Sequence, residues 1–484
     1  MTRRAWVRLD NASNIFLAAR SDADPKVFRI SAEMDHEVDP PLLQEALDAT
    51  YDRYRLYHAV LRSGVFWYYL QDSDLRPLVT AEELPTCAPI YQADRRTLLF
   101  RVMHHRRRIS LEVFHALSDG TGASWFLSDL VTAYVGLRHP EPDHPLPDAG
   151  GIFDRRTPPG RREPGDQAGD DAAEQARKLT GDSFAHYFRR RRRPRLPASE
   201  SAFGRAAAPA VFTVERAVRS SPDAPREPGR SRRAQRTKVH RIRGTRTPDN
   251  RTRVVELTMP TAEVLALARA EGVALTMYLT AVFFESVRRS SGGLTRTRTV
   301  AASVPVNLRQ FFPSTSPRNF FATTRVEHTY GAGADDLGSI CRQLESQFRP
   351  KSTPEALEEK LRRFLRFERM PVLRIVPRPL KDVILKLVNH GSNRSLTIAV
   401  SNLGRLSLPE PADSHVGRML FHVSAARPQV SVASHADLLT LSFTSPFTET
   451  DHIREFARLL SASGVEVTVA AVRVTETELA EREP

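Results

Sequence analysis

One stretch limits what this chain can become more than any other. Between Arg189 and Arg253 there are 20 Lys plus Arg against 5 Asp plus Glu, a net of +15, while all 484 residues together carry +14. The rest of the chain is therefore close to neutral. The stretch contains "RRRRRPRLP" and "SRRAQRTKVHRIRG", and Pro, Ala and Ser recur through it. With little apolar periodicity it cannot bury enough surface to offset the entropy of ordering it. We expect a largely flexible, Arg/Pro-rich linker over 151–251, with one half of the fold before it (1–150) and one after it (252–484). The length of the chain also exceeds what a single core accommodates. The competing use of such a segment is a basic arm for nucleic acid, a membrane or an acidic partner. Its arginine runs are not interleaved with aromatics, which weighs against nucleic acid.

Both halves mix strands and helices. In the first, "KVFRISAEMD" reads as a strand, and residues 38–62 read as a helix capped by Asp39 with Pro40 in its first turn. "GVFWYYLQ" is a strand, and "TLLFRVM" and "ISLEVF" form a hairpin around "HHRRR". In "ISLEVF", Ile109, Leu111 and Val113 alternate with Ser110 and Glu112 at the strand period of two. Beyond Gly120, Phe126, Leu130 and Tyr134 recur at helical spacing. In the second half "RVVELTM", "TVAASVPVNLR", "SLTIAVSNLGRL" and "LLTLSFTSPF" read as strands. "PTAEVLALARAEG", "TMYLTAVFFESVRR" and "DHIREFARLLSASG" read as helices. The expectation is an α/β architecture of two sheet-plus-helix units.

The stretch "SLEVFHALSDGTGASWF" places His115, Asp119 and Gly120 where a strand gives way to a helix. Such turns project side chains from a rigid scaffold into a cleft. Histidine accepts a proton near neutral pH, and glycine permits a tight turn. A serine-hydrolase triad is disfavoured, because no G-x-S-x-G occurs. A metal site is not expected either. His104 and His105 are adjacent and would face opposite sides of a strand, and no H-E-x-x-H occurs. Cys87 and Cys341 lie far apart and offer neither a disulfide framework nor a C-x-x-C pair, so free thiols in a reducing compartment are expected. The first twenty residues lack a signal-peptide apolar region, and the longest apolar run, Ala274 to Phe284, is about half of what a bilayer span needs. A cytoplasmic protein without a transmembrane segment is the expectation.

"HALSDG" resembles the H-x-x-x-D-G motif of the superfamily of chloramphenicol acetyltransferases, peptide-synthetase condensation domains and CoA-dependent acyltransferases. "YHAVLR" is similar to a stretch of condensation domains that precedes the motif. "SVPVNLRQFFP", "NFFATT" and "SNLGRL" resemble segments of bacterial alcohol acetyltransferase-like proteins, the branch this chain looks most like. The resemblance covers roughly residues 5–150 and 240–475. The D-F-G-W-G motif of plant-type members is absent, and Phe114 stands where many condensation domains carry a second histidine.

The resemblance implies two chloramphenicol-acetyltransferase-like halves facing across a central tunnel. In it His115 would be the general base, moving an acyl group from a thioester, acyl-CoA or an acyl carrier protein, to an alcohol or amine. It implies no permanently bound cofactor, with acyl-CoA as co-substrate. Asp119 would hold the turn through an arginine, with Arg62 as the matching partner and Arg309 as its rival. Gly120 would act by shape. Asn307, Ser401 and Asn402 are candidates for the oxyanion or the tunnel wall, with turn formation as their competing role. No carrier or adenylation domain is recognisable, which favours a stand-alone enzyme. A non-catalytic binding module of the same fold and a nucleic-acid binder run by the basic segment are the alternatives.

Overall fold

The computed structural model describes residues 6–9, 11–93, 95–140, 238–247, 251–294, 298–368 and 376–471. Residues 151–237 of the expected linker lie outside them. Its described end is built into the fold: β8 (Lys238–Val239) pairs in parallel with β10 (Arg298–Asn307), and Arg246 bridges to Phe447.

The described residues form three sheets. A small antiparallel one contains β1 (Trp6–Arg8), β3 (Ala59–Ser63) and β4 (Tyr68–Asp72). The other strands of the first half are β2 (Val27–Met34), β5 (Val79–Ala81), β6 (Phe100–His105) and β7 (Arg108–Phe114). They form a five-stranded sheet with β13 (Val416–Val423), in the order β13-β2-β7-β6-β5. The fifth strand thus comes from the far half of the sequence, with Leu420 opposite Ser31. The large sheet runs β11 (Phe321–Thr329), β10, β12 (Ile398–Arg405), β14 (Gln429–His435), β15 (Leu438–Ser445), β9 (Arg253–Pro260) and β16 (Thr468–Ala471).

Two of the early helices cover the five-stranded sheet. α2 (Pro40–Arg53) starts on Asp39, whose carboxylate accepts from the Leu42 amide, with proline in the first turn. α3 (Gly120–Arg138) packs on α2, β2 and β7, burying Phe126, Leu127, Leu130 and Tyr134. This core also takes in Val416, Met419 and Phe421 of the crossing strand. A second core joins the large sheet to α4 (Thr261–Ala270), α5 (Leu275–Ser290), α6 (Leu337–Phe348) and α9 (Asp451–Ala462). Two further helices are α7 (Pro354–Glu368) and α8 (Arg378–Arg394), and α1 (Asn11–Ala19) packs against α8. Cys87 and Cys341 are buried free thiols. Among the described residues no single helix is long and apolar enough to cross a membrane; α4 and α5 would pass only as a pair bent by 85°, and most of α5 is core.

Two expectations need correction. The helix expected to reach residue 62 ends at Arg53; a 3-10 turn follows over Arg55–His58, and Ala59–Ser63 is a strand. Packing overrides the helical pattern. The Tyr57 ring stacks on Phe126 at 4.3 Å, and the Tyr54 hydroxyl donates to Asp129 at 2.9 Å. The alternation in β7 does not mark a solvent face either, since Ser110 and Glu112 are fully buried. Ser110 meets Ser31, while Glu112 accepts from Arg29, Arg101 and the Cys87 amide. A buried carboxylate is tolerable when paired and hydrogen-bonded in this way.

Candidate active site

β7 ends at Phe114, and the next residue, His115, turns out of the sheet. Its amide donates to the Lys26 carbonyl at 2.8 Å, which fixes the backbone against the start of β2. The ring stacks on Phe16 of α1, with centroids 3.9 Å apart and planes 10° from parallel. Phe28 meets it edge-on at 5.0 Å, and Phe321 lies at 5.7 Å. Side chains from α1, β2 and β11 therefore hold the imidazole in one orientation.

The hydrogen bonds of that ring fix its tautomer. Nδ1 lies 3.2 Å from the Ser118 carbonyl and 3.2 Å from Oδ1 of Asn319. Both oxygens are acceptors, so Nδ1 carries the proton and Nε2 presents its lone pair. Asn319 is held in turn, because its Nδ2 donates to the His115 carbonyl at 2.7 Å and to Ser13 Oγ at 2.9 Å. Burial lowers the His115 pKa below the usual imidazole value, with the Asp119 charge and the Asn319 contact opposing. The ring is thus neutral at physiological pH.

Asp119 caps α3. Oδ1 accepts from the Gly122 amide at 2.9 Å, and Oδ2 accepts from the Phe320 amide at 2.8 Å and from Arg309 Nη1 at 2.7 Å. Arg309 also donates to the Ser316 and Arg318 carbonyls and lies over the Trp125 ring. Both side chains of the Asp119–Arg309 pair are buried. The partner of Asp119 is therefore Arg309 and not Arg62. Arg62 is exposed on β3, opposite Tyr69, because residues 59–63 pair as a strand instead of continuing the helix.

The glycines act by close approach. Gly120 is the first residue of α3 and is not in the left-handed region, so the tight turn expected of it is not its role. A Cβ there would stand 2.5 Å from Leu403 Cδ2. The tighter position is Gly122, where a Cβ would lie 2.1 Å from the Pro317 carbonyl oxygen and 2.5 Å from Ser118 Oγ. That hydroxyl donates to the same Pro317 oxygen at 2.6 Å.

The oxyanion candidates divide. Asn307 donates to Thr121 Oγ1 at 3.2 Å and accepts from the Arg309 amide at 3.0 Å. Asn402 donates to Thr276 Oγ1 at 3.0 Å and accepts from Gly404, where the strand register shifts. Both amides are committed to local structure. The Ser401 hydroxyl has no hydrogen-bond partner among the described residues. The residues this site uses that sequence reasoning did not single out are Phe16, Ser118, Gly122 and Asn319. Ser118 lies within "HALSDG", Gly122 within the stretch around it, and Asn319 opens "NFFATT", but nothing local assigns them these roles.

A cavity of about 460 Å³ lies among α1, α8 and residues 89–91, and its lining includes none of the side chains around His115. Leu17 and Ala18 line it beside Phe16, and Pro25 lines it beside Lys26. Arg20 and Lys386 on its wall are matched by Asp22 and Asp382.

No family model matches the chain, and no curated protein is similar to it in sequence. Solved structures share its fold. TRI101 of F. graminearum, complexed with coenzyme A and T-2 mycotoxin, is similar over 96% of this chain and 99% of its own, at TM-score 0.56 and 9% identity. The first condensation domain of the CDA synthetase is similar over 96% of both chains, at TM-score 0.53 and 15% identity. Polyketide synthase associated protein 5 from Mycobacterium tuberculosis is similar over 95% of this chain and 98% of its own, at TM-score 0.52 and 14% identity. The chain has the fold of condensation domains and CoA-dependent acetyltransferases.

Proposed function

We propose that this chain is an acyltransferase that moves an acyl group from a thioester, acyl-CoA in the first instance, to a hydroxyl or amine. The observation that carries the reading is the tautomer of His115: with Nδ1–H engaged, Nε2 is a base on a ring that three aromatic side chains keep from turning. In the reaction Nε2 takes the proton of the acceptor as its oxygen or nitrogen attacks the thioester carbonyl. The tetrahedral intermediate then collapses, the carbon–sulfur bond breaks, and the imidazolium returns the proton to the leaving thiolate. Base catalysis of this kind contributes about 10²–10⁴-fold. Alignment of donor and acceptor supplies much of the remainder.

Asp119 moves no proton in this scheme. It is bound to Arg309 and two amides, and it holds the turn that carries His115. Of the three polar candidates, Ser401 keeps an uncommitted hydroxyl for the oxyanion. The buried thiols fit a reducing, cytoplasmic setting. The test is turnover of the full chain with a panel of acyl-CoAs and simple alcohols or amines. His115→Ala should lower kcat by about 10²–10⁴-fold in a protein that still folds and melts cooperatively. In the wild type kcat/KM should be flat around neutrality and fall only on the acid side of the usual imidazole range, because the neutral form is the active one and its pKa is lowered. Turnover retained in the variant would overturn the assignment.

A further inference from the structure

Three histidines meet at the end of α3 opposite the candidate active site. His36 follows β2, His139 caps the C-terminus of α3, and His415 immediately precedes the crossing strand β13. One ring nitrogen from each lies within 4.8 Å of the others. The 19 residues of α3 separate this cluster from Asp119 by roughly 28 Å at the usual helical rise.

A carboxylate organises the cluster. Asp35 accepts from Nδ1 of His415 at 2.9 Å through Oδ2, and from Nδ1 of His36 through Oδ1. Each of these rings therefore carries its proton on Nδ1 and keeps a lone pair on Nε2. His36 Nε2 is buried and has no hydrogen-bond partner among the described residues. The loop is not free to adjust away. The Asp35 amide donates to the His415 carbonyl at 3.0 Å, and the His36 ring stacks on Tyr134. His139 is exposed and lies face to face with His415, with centroids 4.5 Å apart and planes 3° from parallel.

We infer that His36, His139 and His415 form a site for a divalent transition metal, zinc first, with Asp35 orienting two of the three ligands. Imidazole nitrogen is a favoured zinc ligand, and a carboxylate on the far nitrogen is the usual device that fixes tautomer and ring direction. Tetrahedral zinc with bonds of about 2.0–2.1 Å sets its donors about 3.4 Å apart. The present separations must close by at most roughly 1.4 Å. The exposed His139 supplies that movement by turning about its side-chain bonds. The metal would tie the turn after β2, the end of α3 and the entry of β13 at one point, with solvent in the fourth position. It takes no part in acyl transfer.

The full chain, stripped with a chelator and dialysed, is titrated with zinc chloride alone. One equivalent should bind, and the melting temperature should rise by a few degrees, since the ion binds the folded state. Cobalt(II) should give visible bands of tetrahedral intensity. His139→Gln, at an exposed position, should fold normally and lose both the binding and the rise in melting temperature. Asp35→Asn should weaken binding by about 10–100-fold. His104→Gln, on β6, should bind as the wild type does. Absence of stoichiometric binding, or binding unchanged in His139→Gln, would overturn the site.

Discussion

At the scale of single residues, the site rests on one ion pair. Asp119 and Arg309 are both buried, and Arg309 also holds the carbonyls of residues 316 and 318 beside Asn319. Removing one partner of a buried pair leaves an uncompensated charge, at about 3–5 kcal/mol. Asp119→Asn and Arg309→Ala should therefore each lower the melting temperature along with turnover. The double variant should be little worse than either, so the two losses should be far from additive. Arg62→Ala should resemble the wild type. A melting series of the four proteins decides it, and additive losses would exclude the pairing. The histidine and aspartate were visible in the sequence because strand, turn and helix signals converge on them. The contact of Asn319 with that ring was not, since nothing in sequence links a side chain to a ring 204 positions away.

At the scale of elements, the start of α3 is built to let a loop approach it. The loop before β11 passes over Gly122 so closely that the nearest atom to an added Cβ is backbone, the Pro317 carbonyl oxygen. Backbone cannot rotate aside as a side chain can. Gly122→Ala should cost about 1–3 kcal/mol as overpacking and displace Asn319, lowering kcat as well as stability. Gly120→Ala meets the tip of Leu403 instead and should cost less. Denaturant melts with turnover on both variants test this, and a Gly122→Ala protein of wild-type stability would refute it. The helical pattern over 38–62 misled for a related reason. Tyr54 and Tyr57 serve the core beneath α3, and the chain after them is needed as a strand.

At the scale of the molecule, the two large sheets are joined by charge as well as by chain. Glu256 on β9 accepts from Arg108 on β7 at 3.1 Å and from His422 on β13 at 3.0 Å. Arg418 on β13 bonds Thr258 of β9 across the same junction and Glu33 of β2 within its own sheet. Burial opposes it, but the hydrogen bonds from His422 and Arg108 and the Arg108 charge prevail and hold the Glu256 carboxyl down at about 2. A depressed carboxylate stabilises the fold above its unfolded value and loses that contribution as pH falls through the folded one. Wild-type stability should therefore decline between about pH 4.5 and pH 2. Glu256→Gln should be less stable at neutral pH and nearly flat across that window as far as this group contributes. Melting curves at matched ionic strength provide the check, and parallel acid profiles would rule the junction out.

Local chemistry determined much of this protein by itself. The period-two run "ISLEVF" gave a strand, and Asp39 followed by prolines marked a helix start. The change of period at Gly120 marked the turn that carries His115. These signals lie within a few residues of one another, where propensity and capping act. What only the tertiary structure decided depends on contacts between distant segments. It brought β13 into the first sheet, chose Arg309 over Arg62, stacked Phe16 on His115 and gathered His36, His139 and His415. Each is a pairing of side chains or strands with no local period or spacing to announce it. The physical reason is that burial and charge neutralisation reward whichever groups the folded chain brings together, however far apart they stand in sequence.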